Sequence, residues 1–470
     1  MKTKLLFTLF AVTVAVSSTT AQYTKLLDFT GLANGRAPMG SLISDGTFLY
    51  GMIPLGGTDD MGVIFKIKQD GTGYSKLLDF NGTNGKNPYG TFFYDGTFLY
   101  GNAYEGGSGN CTNGCGIVFK IKPDGTGYSK LYEFTGGTNG NSPFGDLISD
   151  GTFLYGASGG GTNNMGVLFK IKPDGTGYSK LYDFVGTLNG VSPLDLISDG
   201  TFLYGVTGGG GIGTSCGAGG CGTVFKIKPD GTGYSKLLDF TGITNGRTPP
   251  CKLISDGIFL YGMTQLGGTD SAGTIFKIKP DGTGYSKLLD FAGITNGKNP
   301  TGSLIYDGIF LYGMTIGGGI NNCGVLFKIK SDGTGYSKLL DFAGIANGSG
   351  PKGALFSDGA FLYGMTSMGG TNNLGTIFKY GIATGIAEND LASNINIYPN
   401  PFSSQTTITF AQEQKNTSIQ IMDVLGKELK TLSFTGKQLI IEKGEMKEGT
   451  YFLNIKTEQG IVSKKIIINK

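Results

Sequence analysis

From Tyr23 to Tyr380 short apolar runs alternate with turns rich in glycine and aspartate, and the alternation recurs. The tetrapeptide Phe-Leu-Tyr-Gly begins at Phe48, Phe98, Phe153, Phe202, Phe259, Phe310 and Phe361, at intervals of 50, 55, 49, 57, 51 and 51 residues. Phe-Lys-Ile-Lys keeps step at Phe65, Phe119, Phe169, Phe225, Phe276 and Phe327, with a shortened copy at Phe378-Lys379-Tyr380. A Lys-Leu-(Leu/Tyr)-(Asp/Glu)-Phe phrase begins at Lys25, Lys76, Lys130, Lys180, Lys236, Lys287 and Lys338. Strand-like segments recurring at this period signal a radial or stacked repeat architecture.

One copy reads as four strands. Ser303–Tyr306 is short and extended, Asp307-Gly308 turns the chain, and Phe310–Thr315 returns. A loop over Gly317–Gly324 leads to Val325–Lys330, a Ser331-Asp332-Gly333 turn, and a fourth strand over Tyr336–Phe342. Asp-Gly suits such turns because Gly tolerates positive φ and Asp bonds its own backbone. Helical spacing is absent throughout the repeat. Four antiparallel strands with short turns make one blade, so seven copies predict an all-β, seven-bladed β-propeller over residues 22–380. The ends are out of phase in a complementary way. Residues 23–29 are a fourth strand without a blade, and the last copy stops at Tyr380 after its third strand. Residues 23–29 are therefore expected to complete the blade made by 353–380, which removes two open sheet edges. An open solenoid gives no reason for that match.

The termini differ in kind. Lys2 and Lys4 precede an apolar run, Leu5–Val16, which is too short to cross a bilayer as a helix, and Thr19-Thr20-Ala21 offers small residues for cleavage. Residues 1–21 thus read as a secretory signal peptide, with export to the periplasm and disulfides allowed. No other stretch could span a membrane as a helix. After a linker, 381–393, the alternating strands of 394–470 predict a small Ig-like β-sandwich.

Ile397-Tyr398-Pro399-Asn400-Pro401-Phe402, Ile421–Lys427, Gly449–Ile455 with Tyr451, and the closing Lys464-Lys465–Lys470 occur in that order along the tail. The tail thereby resembles the type A C-terminal sorting domain of type IX secretion substrates. The resemblance implies that residues 394–470 engage the type IX machinery. It implies passage to the outer-membrane surface or the medium, and a Bacteroidota-type Gram-negative source. Along the repeats, Asp-Gly-x-Phe-Leu-Tyr-Gly, the following Gly-Gly, and the Phe-Lys-Ile-Lys phrase with its Asp-Gly-Thr-Gly-Tyr turn resemble the Gloeobacter–Verrucomicrobia tandem-repeat family of secreted proteins. That resemblance carries no established activity.

Composition narrows the chemistry. The net charge is +3 with no block of like charge, which argues against nucleic acid as a partner. There is no His and no Trp, and Arg36 and Arg247 are the only arginines. A Ser-His-Asp triad, a His-ligated metal and a sialidase-type arginine triad are excluded, and no cofactor is expected. Six cysteines remain. Cys111 with Cys115, and Cys216 with Cys221, fall in second-to-third-strand loops and are expected to close as local disulfides, while a Cys251–Cys323 bridge stays open.

The loop from fourth to first strand carries Asn34, Asn84, Asn139, Asn189, Asn245, Asn296 and Asn347, each before a Gly, with an acid from Asp28 to Asp341 upstream. Seven such loops on one face form candidate sugar or calcium positions; the plainer reading is that Asn-Gly builds a turn, and a calcium site would pack several carboxylates where each blade offers one. Glu105, Asp146 and Asp195 are acids outside the repeat pattern. Repetition favours a surface-displayed binding or scaffold module, with an extracellular glycan as its candidate partner. The alternative is a polysaccharide lyase or hydrolase using Asp, Glu and Tyr, for which these three acids are the candidates.

Overall fold

The structure, a computed structural model, describes residues 22–250, 252–382, 395–423, 428–457 and 460–469. The expected signal peptide and nearly all of the linker lie outside the described residues. The chain divides after Gly381 into two compact units. No helix among the described residues is long and apolar enough to cross a membrane.

The first unit is all-β and contains seven antiparallel sheets, six of four strands and one of five. In the first, Ile43–Ser44, Phe48–Ile53, Val63–Lys68 and Ser75–Asp79 pair in chain order. The seventh takes its fourth strand from the other end of the unit. Tyr23–Asp28 pairs antiparallel with Thr376–Gly381, Tyr23 opposite Tyr380 and Asp28 opposite Thr376. The Tyr23 hydroxyl donates to the Asn347 carbonyl at 3.0 Å, as Tyr336 does to Asn296 at 2.9 Å.

Local chemistry explains the repeated phrases. Asp45 Oδ1 accepts the Thr47 and Phe48 amides at 2.8 Å, and its Oδ2 accepts the Tyr50 hydroxyl at 2.7 Å. The same three contacts recur at each Asp-Gly turn between first and second strands, through Asp358 and Tyr363. The glycine of Phe-Leu-Tyr-Gly makes room for a ring. A Cβ on Gly51 would stand 2.6 Å from the Phe65 ring, and Gly313 stands in the same relation to Phe327. The first lysine of Phe-Lys-Ile-Lys ties one sheet to the next. Lys120 Nζ lies 4.7 Å from the Phe98 ring centre and donates to the Pro173 carbonyl at 3.0 Å.

Between sheets the core is aliphatic and aromatic. One cluster joins Tyr50, Met52 and Ile64 of the first sheet to Leu99 and Phe119 of the second. Another joins Leu49 and Phe65 of the first to Tyr363 and Ile377 of the seventh. The seventh also meets the sixth, through Phe342 against Phe378 at 5.4 Å.

The first strands are less uniform than the sequence suggests. They span nine residues in Lys86–Tyr94 and Asn141–Ser149 and eight in Val191–Ser198, but two in Ile254–Ser255. Irregular register interrupts the long ones between Phe144 and Ile148 and between Pro193 and Leu196.

The second unit is a five-stranded antiparallel sheet. Its long strand, Gln405–Met422, pairs with Glu428–Glu442 along both halves, with Ile395–Tyr398 at one end and with Gly449–Thr457 at the other. The register shifts around Gln414 opposite Gly436. Ile408, Phe410, Ile419, Leu453 and Ile466 form its core.

Candidate functional site at the centre of the repeats

Residues within or just before the first strand of all seven repeats line one cavity of about 220 Å³. Each repeat sends the residues after a shared proline toward it. Met39, Tyr89, Phe144, Pro250, Thr301 and Lys352 stand at its outer level, toward the fourth-to-first-strand loops. Gly40, Gly90, Gly145, Gly302 and Gly353 follow, and Ser41, Thr91, Asp146, Asp195, Ser303 and Ala354 form the deepest level. The glycines allow the strands to meet closely. A Cβ on Gly40 would stand 2.1 Å from the Gly90 carbonyl oxygen, and one on Gly353 2.0 Å from that of Gly40. A second cavity, about 380 Å³, lies beyond the deepest level and adds Lys252, Ile254 and Tyr306 to its lining.

The fourth repeat breaks the pattern by one residue. Three residues separate Pro38 from Leu42, but only Leu194 and Asp195 separate Pro193 from Leu196. The missing residue is the glycine. Where Gly90 faces the carbonyl oxygen of Gly145, Gly145 faces Asp195 Oδ1. The side-chain oxygen stands in for the lost carbonyl, and the Asp146 amide donates to it in a very short contact. Asp146 in turn accepts the Thr91 amide at 2.7 Å and pairs with Lys252 Nζ at 3.3 Å. Across the junction of seventh and first repeats, the Ala354 amide donates to Ser41 Oγ at 2.7 Å. Burial, with the Asp146 charge beside it, pushes the Asp195 carboxyl up to about 7.

The outer level is two-sided. Tyr89 packs against Phe144 at 5.6 Å between ring centres and edge-on against Tyr104 at the same distance. Phe144 keeps 40% of its surface exposed. The other side carries Pro250, Thr301 and Lys352, and Thr301 Oγ1 is buried without a hydrogen-bond partner.

The acids outside the repeat pattern therefore separate. Asp146 and Asp195 meet in the cavity, each within the first strand of its repeat. Glu105 ends the strand Leu99–Glu105, where Lys86 Nζ at 2.8 Å and Asn87 Nδ2 at 3.1 Å hold it. Lys252, Tyr89, Phe144 and Thr301 were not singled out by sequence. Aligning the copies on the shared proline would have exposed them, because they occupy positions that change from repeat to repeat.

The loop asparagines face inward on their own loops. Asn245 Oδ1 accepts the Thr241 amide at 2.7 Å and its Nδ2 donates to the Asp239 carbonyl at 3.0 Å. Asn34, Asn84, Asn296 and Asn347 repeat that clasp. Asn189 keeps the amide contact but donates to the Tyr182 hydroxyl at 2.6 Å, and Asn139 sits in a 3-10 turn, Gly137–Asn139. The upstream acids pair with the lysine three residues before, as in Lys76–Asp79 at 2.7 Å. At Glu133 the Lys130 contact pulls the carboxyl down to about 2.

Cys111–Cys115 and Cys216–Cys221 are disulfides. Cys323 is a free thiol among the described residues, and its backbone carbonyl accepts the Gly350 amide of the seventh repeat at 2.9 Å. Cys251, the partner the sequence left open for it, lies outside the described residues. In the tail, Tyr398 is exposed and Asn400 Oδ1 accepts the Ile467 amide at 2.8 Å. Thr406 Oγ1 donates to the Pro399 carbonyl at 2.6 Å, and Pro401 leads into buried Phe402. Gly449 opens the strand that carries buried Tyr451, while Lys464 and Lys465 lie in Gly460–Ile468.

These features define an all-β tandem-repeat protein that carries a secretion address. The chain belongs to the Gloeobacter/Verrucomicrobia repeat family, which it matches over residues 8–215, 112–257 and 211–397, and residues 396–469 match the secretion system C-terminal sorting domain. That domain implies a secreted or cell-surface protein. No curated protein sequence matches the chain. Similar solved structures include PorZ, a surface component of the type IX secretion system of Porphyromonas gingivalis, at 14% identity and a TM-score of 0.46 over 94% of this chain and 61% of that one. A puromycin-hydrolyzing peptidase of Mycobacterium tuberculosis aligns at 12% identity and a TM-score of 0.49 over 83% and 60%. The Bacteroides ovatus xyloglucan PUL GH43B aligns at 13% identity and a TM-score of 0.32 over 94% and 91%. The chain spans less than two thirds of the length of the first two.

Proposed function

We propose that residues 22–380 form a closed seven-bladed β-propeller that acts as a binding module at the cell surface or in the medium. Residues 394–470, as a β-sandwich, would deliver it through type IX secretion after a signal peptide, residues 1–21, has been removed. Seven sheets, each packed on its neighbours, with the amino-terminal strand completing the last, support the closed ring. One observation carries the binding reading: where aligned copies differ along the first strand, those residues meet in a single cavity. Repetition accounts for the rest of the molecule as scaffold, since conformity at the turns, rings and latches builds sheets and nothing more.

Asp146 and Asp195 favour binding over hydrolysis. Both carboxylates accept backbone amides of neighbouring repeats and so brace the ring. Asp146 is committed at both oxygens, Oδ1 to the Thr91 amide and Oδ2 to Lys252, so they already serve the scaffold. Arrays of polysaccharides, oligosaccharides, peptides and proteins probed with the full chain test the reading, alongside assays for product release. Binding without turnover is the expected outcome. Turnover of a polysaccharide that disappears with Asp195→Asn would replace it with the enzyme reading.

A further inference from the structure

We infer that the central cavity is a subsite for the terminal pyranose of a neutral glycan, entering end-on from the face that carries the fourth-to-first-strand loops. This rests on the binding reading above and names its ligand. Three features of the cavity set the class. Its volume, about 220 Å³, lies below that of drug-sized pockets and so limits an occupant to about one small ring. Its walls are divided as a pyranose is divided. Tyr89 and Phe144 offer aromatic surface to the C–H face, and Tyr104 backs both rings at 5.6 and 6.3 Å. Opposite them Thr301 lines the cavity with a hydroxyl that makes no hydrogen bond, and turning it inward would pair it with a ring hydroxyl. Its deepest level carries Ser41, Thr91 and Ser303 hydroxyls beside Asp146 and Asp195, acceptors and donors for hydroxyl groups.

Charge selects against acidic sugars. Lys252 is already paired with Asp146 at 3.3 Å, so a uronate carboxylate reaching the deepest level would meet the Asp146 carboxylate with its cation taken. Lys352 at the outer level could pair with such a group only at the mouth. End-on entry follows from the floor of the cavity. Ser41, Thr91, Asp146, Ser303 and Ala354 border both the upper and the lower cavity, so a ring seated in the upper one rests on this level.

The test uses the full chain, a panel of neutral and uronate-terminated oligosaccharides, and titration calorimetry with saturation-transfer NMR. A neutral oligosaccharide should bind with its terminal ring most strongly saturated, and uronate-terminated partners should bind more weakly. Phe144→Ala and Tyr89→Ala should each weaken it about tenfold, the loss of one stacking contact. Thr301→Val should weaken it several-fold, Phe144→Tyr should retain it, and Ile294→Ser, on an exposed loop tip, should leave it unchanged. Melting temperatures within a few degrees of wild type separate these losses from misfolding. Saccharide binding that ignores Phe144, Tyr89 and Thr301 overturns this subsite and leaves the binding reading intact. A peptide or protein ligand with no bound saccharide overturns the sugar assignment alone. Silence across every ligand class overturns both.

Discussion

At the scale of single residues, two substitutions measure what the repeat demands. The Phe-Leu-Tyr-Gly glycine is fixed by a ring: a Cβ at Gly262 would stand 2.6 Å from Phe276. Gly262→Ala should lower stability by about 1–3 kcal/mol, the usual cost of overpacking, read as a fall in melting temperature. Asp195 gives a pH signature. Its carboxyl sits near 7 in the fold, against about 3.9 for an unfolded aspartate. The folded chain therefore holds a proton that the unfolded chain has released across that window, so this group's contribution to stability is full below the lower value and falls as pH rises toward 7. Asp195→Asn removes the dependence and should keep the short amide contact through its side-chain oxygen. The variant's melting temperature should gain on wild type steadily from pH 4 to pH 7 and then level off. A difference that stays flat across this range would show that Asp195 ionises freely. Glu133 acts in the opposite sense, because a carboxyl held near 2 contributes stability above the ordinary glutamate range and loses it as acid protonates it.

At the scale of elements, the latches and staples carry the testable energetics. Lys120 both caps the Phe98 ring and reaches the Pro173 carbonyl in the next sheet. Lys120→Met keeps the aliphatic stem and should cost about 1–2 kcal/mol, the sum of one cation–π contact and one charged hydrogen bond. The Cys111–Cys115 disulfide closes a short loop and should contribute about 2 kcal/mol on the chain-entropy account, so Cys111→Ser with Cys115→Ser lowers the melting temperature without altering the cavity. Elements were also where the sequence was most legible. Recurrent Asp-Gly, Phe-Leu-Tyr-Gly and Phe-Lys-Ile-Lys phrases specify turns and buried strands by local chemistry, and the structure places them so. The first strand was less legible, because its length depends on how far each repeat continues pairing past the register shift. The cavity was half legible. Asp146 and Asp195 stood out as acids without counterparts, but Tyr89, Phe144 and Thr301 look ordinary until seven strands bring one alignment column to one point. Lys252 was hidden for the same reason, its partner lying two repeats earlier in the chain.

At the scale of the whole molecule, closure and export place opposite demands on the two ends of the chain. The strand Tyr23–Asp28 pairs with Thr376–Gly381, and Asp28 reaches across the same junction to accept the Thr371 amide and hydroxyl at 3.2 and 2.9 Å. The seventh sheet therefore cannot be completed until the repeats have all been made, and a chain lacking residues 22–29 leaves a raw sheet edge over Thr376–Gly381. Such a chain should self-associate and melt broadly, checked by light scattering and calorimetry against the full chain. The carboxyl-terminal unit makes the converse case. It has its own core of Ile408, Phe410, Ile419, Leu453 and Ile466, which owes nothing to the repeats. If that unit serves only as an address, a chain ending at residue 382 should fold with the full-length melting profile of the repeats and bind the same ligand, yet accumulate in the periplasm of a host that has type IX secretion. Fractionation of such a host decides the point, since surface delivery of the shortened chain would mean that the address lies within the repeats themselves.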